Sequence, residues 1–475
     1  MAKPFITLGE NKMPILAAPS VPNTKDSQSS APIILTKDQI EAEKQIVEFV
    51  LNGDIGSRIV LSGYGGTGKT TLIKSCINKV YETIDLKNKI LKAASANSRV
   101  VKTYEFALSA TTNKAAEALS EATKMDAVTI HSLLGMTVRN NKLSSPTKIP
   151  KANIIIIDEA SFLNEKTQRL IEGALSQKKI IYVGDPAQLA PINSKTTPVF
   201  DSGYPTVHLT EVVRQEPGNQ IATVSESFRK SVNGEEFIPF IPDNKRILIL
   251  EADEFAEEAI KEFNRADFNG NDAKVLAWTN AAVHEYNRVI KSAITGEQEL
   301  RDGDYALNNT YFKPGRTKGV KTDGTVKIVS MFDNDLMSEM LVAKKSIQFK
   351  REPDSCLIPE LFLDSKIVFK DVVFNYNSTE YHGYLFDQKN LKALKKANNI
   401  LYKEEIPTLI DESKIVDLRP LYSCTVNKSQ GSTYRKVFID LNDIGNCKNS
   451  DQMTRMLYVA FSRASQQVIL TGDIS

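Results

Sequence analysis

Gly63-Tyr64-Gly65-Gly66-Thr67-Gly68-Lys69-Thr70 decides how this chain is read. It fits G-x-x-x-x-G-K-[ST] and lies between an apolar run of strand length, Arg58–Ser62, and a helical pattern, Thr70–Val80. Glycines let backbone N–H groups converge on phosphates without Cβ clashes, and the following helix N-terminus adds partial positive charge. The stretch predicts a nucleoside triphosphate site, with Gly65, Gly66, Thr67, Gly68, Lys69, Thr70 and Thr71 as its binding set. Lys69 would reach the β- and γ-phosphates, and Thr70 would offer its hydroxyl to Mg²⁺.

Outward from this loop, nearly continuous apolar runs alternate with helical patterns. The runs are Arg58–Ser62, Glu105–Ser109, Ile154–Ile157 and Ile180–Val183, with a helix expected over Asn113–Ala122. Such runs suit strands covered on both faces, so the pattern predicts an open parallel sheet. A second α/β set is expected from residue 205, with strands at Ile247–Leu250, Lys274–Trp278, Val437–Leu441 and Gln467–Leu470. Short β-rich runs (Val326–Val329, Lys366–Val373) and turn signals (Pro314-Gly315, Asp323-Gly324) mark residues 301–415 as a β-rich insert. Residues 1–33, broken by five prolines, read as a disordered tail, or as a partner-binding peptide through Phe5-Ile6-Thr7-Leu8 and Pro14-Ile15-Leu16.

The chemistry-bearing residues fall at the ends of these strands, the edge where open α/β sheets bind ligands. In Ile154-Ile155-Ile156-Ile157-Asp158-Glu159, Asp158 would hold Mg²⁺ through water and Glu159 would polarise an attacking water. Alone, the pair could be a strand that ends in solvated acids. Gly184-Asp185-Pro186-Ala187-Gln188-Leu189 follows the next strand, and Gln188 is a natural sensor of the γ-phosphate. Arg214 and Arg463 are candidate arginine fingers, each otherwise a surface ion-pair partner.

Composition bounds the partners. The chain has 475 residues, 41% hydrophobic and 25% charged, enough for several cored domains and against a fibrous or wholly disordered chain. Sixty Lys+Arg against 58 Asp+Glu leave a net charge of +2, so no global basic field points to nucleic acid. Four scattered cysteines without a C-x-x-C pair exclude a disulfide scaffold and a cysteine zinc site. No apolar run approaches the ~18 residues of a membrane span, and no secretory signal is seen. A cytoplasmic protein is expected, in the host cytoplasm if it is phage-encoded.

In order, the chain also shows Leu35-Thr36-x-x-Gln39, Ala110-Thr111-Thr112-Asn113-Lys114-Ala115-Ala116, Thr129-Ile130-His131-Ser132-Leu133, Val213-Arg214-Gln215, Thr425-Val426-Asn427-Lys428-Ser429-Gln430-Gly431-Ser432, and Leu457–Arg463. With the phosphate loop, Asp158-Glu159-Ala160-Ser161 and Gly184–Ile192, this series resembles superfamily 1 helicases of the RecD/Dda-like (SF1B) branch. The resemblance runs from about residue 35 to 472, missing the tail and most of the insert, and the compact length is nearest to phage Dda-like helicases.

The resemblance implies an α/β fold of two RecA-like P-loop domains with parallel sheets. Residues 34–204 would form domain 1A with a short β-hairpin pin (1B) at about 135–151. Residues 205–300 plus 416–475 would form domain 2A, and 301–415 an SH3-like domain 2B. It further implies ATP and Mg²⁺ in the interdomain cleft, with single-stranded DNA and single/double-strand junctions as substrate. The activity implied is ATP-dependent 5′–3′ helicase or translocase action by a monomer in replication, recombination or repair. Gln39 would read adenine, Gly431 would approach the γ-phosphate, and Arg214 and Arg463 would be the finger pair. Val213 stands where some relatives place an adenine-stacking tyrosine. Thr112, Asn113, His131, Thr425 and Ser432 would contact the strand, mainly through phosphates. Trp278 is a candidate stacking platform or an ordinary core residue.

The segment Gly135–Lys151 holds no aromatic residue, so Met136 or Val138 is the expected wedge, unless the pin acts sterically. Basic runs in the insert (Lys313, Arg316, Lys318, Lys321; Lys389, Lys392, Lys395, Lys396) are a strand clamp or solvated surface. Two other readings stay open: an RNA-dependent ATPase or RNA helicase, and a non-unwinding ATP-switched loading module. The tail is the expected handle for a single-strand-binding or replication protein.

Overall fold

The computed structural model describes residues 35–94, 104–139, 142–189, 197–211, 213, 218–268, 270, 272–315, 319–335, 367–403 and 410–473. The expected tail, Arg214, and Arg316 and Lys318 of the first basic run lie outside the described residues.

Two parallel sheets carry the described part of the chain. The first holds β1 (Arg58–Gly63), β2 (Phe106–Ala110), β3 (Ala127–Thr129), β6 (Ile154–Asp158), β7 (Lys179–Gly184) and β8 (Thr206–Leu209), in the order β3-β2-β6-β7-β1-β8. Its four-isoleucine strand shows why the run is continuous. Ile154 and Ile156 join the core under α1 (Lys37–Asn52) and α2 (Lys69–Ala94). Ile155 and Ile157 join the opposite core, against α5 (Glu165–Ala174). Burying all four methyl-rich side chains, at ~1.5–3 kcal/mol each, fixes this strand in the sheet centre.

The second sheet holds β9 (Ile247–Ile249), β10 (Ala273–Ala277), β17 (Ser423–Thr425), β18 (Tyr434–Asp440) and β19 (Ala464–Thr471), ordered β17-β10-β18-β19-β9. α6 (Gln220–Val232), α11 (Leu441–Gly445) and α12 (Ser450–Ser462) cover one face: Ile221, Val224, Phe228, Ile444, Leu457 and Phe461 share its core. α7 (Ala252–Phe263) and α8 (Asn280–Thr295) cover the other, through Phe255, Phe263 and Ile290.

Thr206–Leu209 pairs in parallel with β1. The first sheet therefore extends beyond the boundary expected at 204, because Pro205 ends a loop rather than opening the second unit. β3 and β17 went unread, and α2 is far longer than Thr70–Val80.

Between β10 and β18 the chain forms a third, largely antiparallel sheet, ordered β15-β14-β13-β12-β11-β16. Its strands are β11 (Tyr305–Asn308), β12 (Thr325–Asp335), β13 (Val368–Tyr376), β14 (Thr379–Leu385), β15 (Ile415–Val416) and β16 (Leu418–Arg419), and α9 (Gln388–Lys403) precedes β15. Val326–Val329 falls within β12, and Lys366–Val373 overlaps β13.

A two-stranded antiparallel hairpin, β4 (Val138–Arg139) and β5 (Lys142–Leu143), rises from the first unit. Met136 is no wedge. Its side chain is buried with Ile130, Leu134 and Ile155 in the core beneath the hairpin.

Candidate active site

The phosphate loop joins β1 to α2, and two of its glycines take left-handed φ values, +87° at Gly66 and +76° at Gly68. The Thr67 hydroxyl donates to Tyr64 O at 2.9 Å, and Lys69 Nζ donates to Gly63 O at 2.7 Å and Tyr64 O at 3.0 Å. Thr70 lies in the first turn of α2, and Thr71 beside it is exposed.

Gln39 sits directly against this loop. Its Nε2 donates to Thr67 O at 2.9 Å, and its Oε1 accepts from the Thr36 N–H in a capping box that starts α1. A Cβ on Gly68 would lie 2.6 Å from Gln39 Nε2 and 3.3 Å from Val213 Cγ2, so a side chain there would displace the Gln39 amide and strain a left-handed backbone. Val213 donates its N–H to Gly66 O at 2.9 Å. Gln39 and Val213 thus flank one side of the loop, both against Gly68.

Asp158 ends β6 and Glu159 follows it with φ +53°, a left-handed conformation rare for a side chain of this size. Asp158 Oδ1 accepts the Glu159 N–H at 2.8 Å. Burial, then the Glu159 charge, push the Asp158 carboxyl up to about 7, against the pull of its backbone bond and of Lys69. Glu159 Oε2 is buried and has no hydrogen-bond partner. An orphaned carboxylate oxygen on strained backbone is the signature of a group kept for chemistry rather than stability.

These residues fit a nucleotide with Mg²⁺. Two left-handed glycines shape the phosphate cradle, Thr70 and Asp158 supply hard oxygen donors, and Lys69 supplies the cation. Among the described residues no group of three or more His, Cys, Asp or Glu could hold an ion by itself. Two protein oxygens are a usual complement for Mg²⁺, which shares its remaining positions with substrate phosphates and water.

Side chains of the second unit reach across to this loop. The Gly65 N–H donates to Asp185 Oδ2 and to Tyr458 Oη, both at 3.1 Å, and the Tyr458 hydroxyl donates to Asp185 Oδ2 at 2.6 Å. Burial and that carboxylate push the Tyr458 phenol well above its ordinary range. Gln430 Nε2 donates to Gln188 Oε1 at 3.2 Å. Arg455 Nη1 donates to Pro186 O at 2.8 Å and Gln188 O at 2.9 Å. A Cβ on Gly65 would lie 3.9 Å from Arg463 Nη2. The Arg229 guanidinium stacks 3.6 Å from the centre of the Tyr64 ring.

Arg463 of the second unit therefore stands beside the loop that carries Lys69, and Gln188 joins the same loop through Asp185. Asp185, Gln430, Arg455 and Tyr458 are the additions the sequence reading did not assign. Asp185, Gln430 and Tyr458 stood inside quoted motifs, but nothing local showed that they pair. Beside Gln430, a Cβ on Gly431 would lie 3.7 Å from Ala115 Cβ and 3.8 Å from Thr112 Oγ1, at the start of α3 (Asn113–Thr123).

A second set lines the same sheet edges. Thr112 and Thr279 follow β2 and β10, Thr129 and Thr425 end β3 and β17, and each caps a helix N-terminus. The helices are α3, α4 (Ile130–Leu133), α8 and α10 (Val426–Ser429). Adjacent strands at one side of each sheet thus present four capped helix N-termini, a setting that favours phosphate.

Asn113 opens α3. His131 lies in α4, and burial lowers its imidazole pKa. Ser432 is nearly buried, and its carbonyl accepts from Arg463 Nη1 at 3.2 Å. Trp278 is half-buried, packs against the second unit's core, and donates its N–H to Asp443 Oδ2 at 2.6 Å.

Two family models match this chain: an AAA domain over residues 35–250 and a UvrD-like helicase C-terminal domain over 420–471. Together they cover more than half of it and include every cross-cleft residue named above. The chain belongs to the superfamily 1B helicases.

Two RecD relatives match about a third of the chain each. The ATP-dependent RecD2 DNA helicase of Deinococcus radiodurans is 29% identical over 34% of this chain and 20% of its own length. The RecBCD enzyme subunit RecD of Mycolicibacterium smegmatis is 30% identical over 28% of this chain and 26% of its own. The chain thus spans only a fifth to a quarter of the length of these two. An uncharacterized protein, R530 of Acanthamoeba polyphaga mimivirus, is 27% identical over 91% of this chain and 98% of its own length. A solved structure described as Pif1 helicase from Bacteroides in complex with ADP-AlF3 and ssDNA is 16% identical, covers 94% of each chain, and has a TM-score of 0.46. No described helix is long and apolar enough to cross a membrane.

Proposed function

We propose that this superfamily 1B chain is an ATP-dependent DNA helicase that moves 5′ to 3′ on single-stranded DNA. The observation that carries the reading is the meeting of Arg463 and Tyr458 of the second unit with Gly65 of the phosphate loop. A motor needs such a site, because only groups from both domains can turn a change at phosphate into a change of domain spacing.

Bound ATP supplies the phosphoanhydride bond whose hydrolysis drives the cycle. In this reading Gly65 through Thr71 hold the phosphates, with Lys69 exchanging its loop carbonyls for the β- and γ-oxygens. Thr70 and Asp158 hold Mg²⁺, Glu159 orients and deprotonates the attacking water, and Gln188 senses the γ-phosphate. Gln39 faces the base. Single-stranded DNA lies across the capped helix starts, where Thr112, Asn113, His131, Thr425 and Ser432 contact its phosphates, and Trp278 stacks a base. The first motor domain takes residues 34–209, with β8 as its edge strand, the second takes 210–300 and 416–475, and the β-rich insert is SH3-like. The chain acts as a monomer.

Lys69→Ala is expected to abolish strand-stimulated ATPase, and a normal rate in the purified variant sinks the site assignment. Direction is tested by displacement of two matched DNA duplexes, one with a 5′ tail and one with a 3′ tail. Unwinding of the 5′-tailed duplex alone is expected; preference for the 3′ tail overturns the polarity. Hydrolysis stimulated by DNA without displacement of either duplex supports a loading module instead, the aromatic-free hairpin being the first suspect. Stronger stimulation by a matched RNA favours an RNA-dependent enzyme.

A further inference from the structure

We propose that Arg455 and Tyr458 are positioning residues that set Gln188 and Arg463 in register across the cleft. The inference rests on the ATP-motor reading and adds to it two residues that touch no phosphate.

The geometry starts from one helix. On α12, Arg455, Tyr458 and Ser462 stand at i, i+3 and i+7, a spacing that puts them on one face, and Arg463 follows at its C-cap. Arg455 grips the carbonyls of Pro186 and Gln188, the backbone that carries the Gln188 side chain. Its Nε also donates to Asp451 Oδ2 at 3.0 Å, so the guanidinium is held from its own helix while it holds the loop. Tyr458, one turn on, fixes Asp185 at the start of the same loop. A helix is stiff over two turns. Anchoring it at Arg455 and Tyr458 therefore determines where Arg463 stands relative to Gly65.

Asp185 shows why this contact senses closure. Its carboxylate is fully buried. It accepts from the Ala187 N–H at 3.0 Å, the Gly65 N–H at 3.1 Å, Gln188 Nε2 at 3.4 Å and the Tyr458 hydroxyl at 2.6 Å. The first three donors belong to its own unit. The fourth and shortest comes from the other. A buried carboxylate deprived of a donor is destabilised, so Asp185 favours the closed cleft only while Tyr458 is in reach. Gly65 donates to both members of the pair, which ties the latch to the loop that binds phosphate.

The test is a coupling cycle on full-length protein. Strand-stimulated kcat and the Kd for a fluorescent ADP analogue are measured for the wild type, Tyr458→Phe, Arg455→Ala, Gln188→Ala, and the Arg455→Ala/Gln188→Ala double variant. Each single variant is expected to lose about tenfold to a hundredfold in kcat, the range for one hydrogen bond to a charged group, with Kd within about threefold. Because Arg455 acts in part through the Gln188 loop, the double variant should lose clearly less than the product of the two single losses.

Additive losses overturn the proposal, as does wild-type kcat in both Tyr458→Phe and Arg455→Ala, or a loss of Kd that matches the loss of kcat. If Arg455→Ala does not fold, Tyr458→Phe, which removes one oxygen, completes the same cycle with Gln188→Ala. An unstimulated wild-type rate overturns the motor reading and this inference with it; a stimulated wild-type rate with additive losses overturns this inference alone.

Discussion

Glu159→Gln is expected to lower strand-stimulated ATP hydrolysis roughly 10²- to 10⁴-fold, the range for losing a positioned general base, while ATP still binds. The argument begins with its backbone. A glutamate at φ +53° is strained by about 1–3 kcal/mol, and such strain persists only where the surroundings over-determine it. Here they do so by two bonds from Thr111, whose N–H donates to Asp158 O at 3.2 Å and whose hydroxyl donates to Glu159 O at 3.0 Å. The result is a carboxylate with one buried oxygen free of any partner, directly after the candidate Mg²⁺ ligand. Glutamine keeps the shape and removes the basic oxygen. ATP affinity measured with a fluorescent analogue should hold, while turnover falls. Wild-type turnover in Glu159→Gln would show that this oxygen is idle and that the strain has another cause.

Asp158 adds a pH signature to the same site. Burial and the Glu159 charge raise its carboxyl to about 7, above its ordinary 3.8. A raised carboxyl pKa means that the folded chain holds this proton more tightly than the unfolded one. The stabilising contribution is therefore complete below about pH 4 and is lost as pH rises through about 7.

The sheets were legible because their strands announce themselves locally. Ile154–Asp158 is apolar at four consecutive positions, and such a run is satisfied only between two cores. The phosphate loop was legible for the same reason: its glycines and lysine act on backbone geometry within eight residues. β3 and β17 were not, since three residues each, Ala127–Thr129 and Ser423–Thr425, are too short to establish a period. The residues of β8 fell on the far side of the boundary expected at 204, because pairing with β1 is a tertiary fact. The cross-cleft contacts were illegible for a stronger reason. Tyr458 meets Asp185 across 273 residues of sequence, and on its helix it looks like one more apolar core residue. Gly431 lay in a motif that was read correctly as a motif, yet its nearest neighbours are Thr112 and Ala115. A motif can be legible while the neighbour it serves is not.

Arg463→Ala is expected to leave ATP bound and to cut turnover by about 10³-fold or more, the scale for removing an arginine finger. The residue is 4% exposed, so the bland alternative of a solvated ion-pair partner does not apply. Among the described residues it is not paired to a carboxylate. Its Nε donates to Val459 O at 3.2 Å, Nη1 to Ser432 O at 3.2 Å, and Nη2 to Ser462 Oγ at 2.7 Å. Among the described residues these bonds aim the guanidinium and leave a second N–H on each terminal nitrogen. The spare donor on Nη2 sits on the rim of the phosphate loop, its nitrogen 3.9 Å from where a Gly65 side chain would begin. Neutral partners orient a cation without neutralising it, so its full charge is available to a transferring phosphoryl group. The loss should therefore appear in kcat with little change in nucleotide affinity. Arg463→Lys separates charge from geometry: lysine keeps the charge but not the planar fork, and should recover only a small part of the rate. Equal losses of affinity and turnover in both variants, with a lowered melting temperature, would mean that Arg463 merely braces Ser432 against α12.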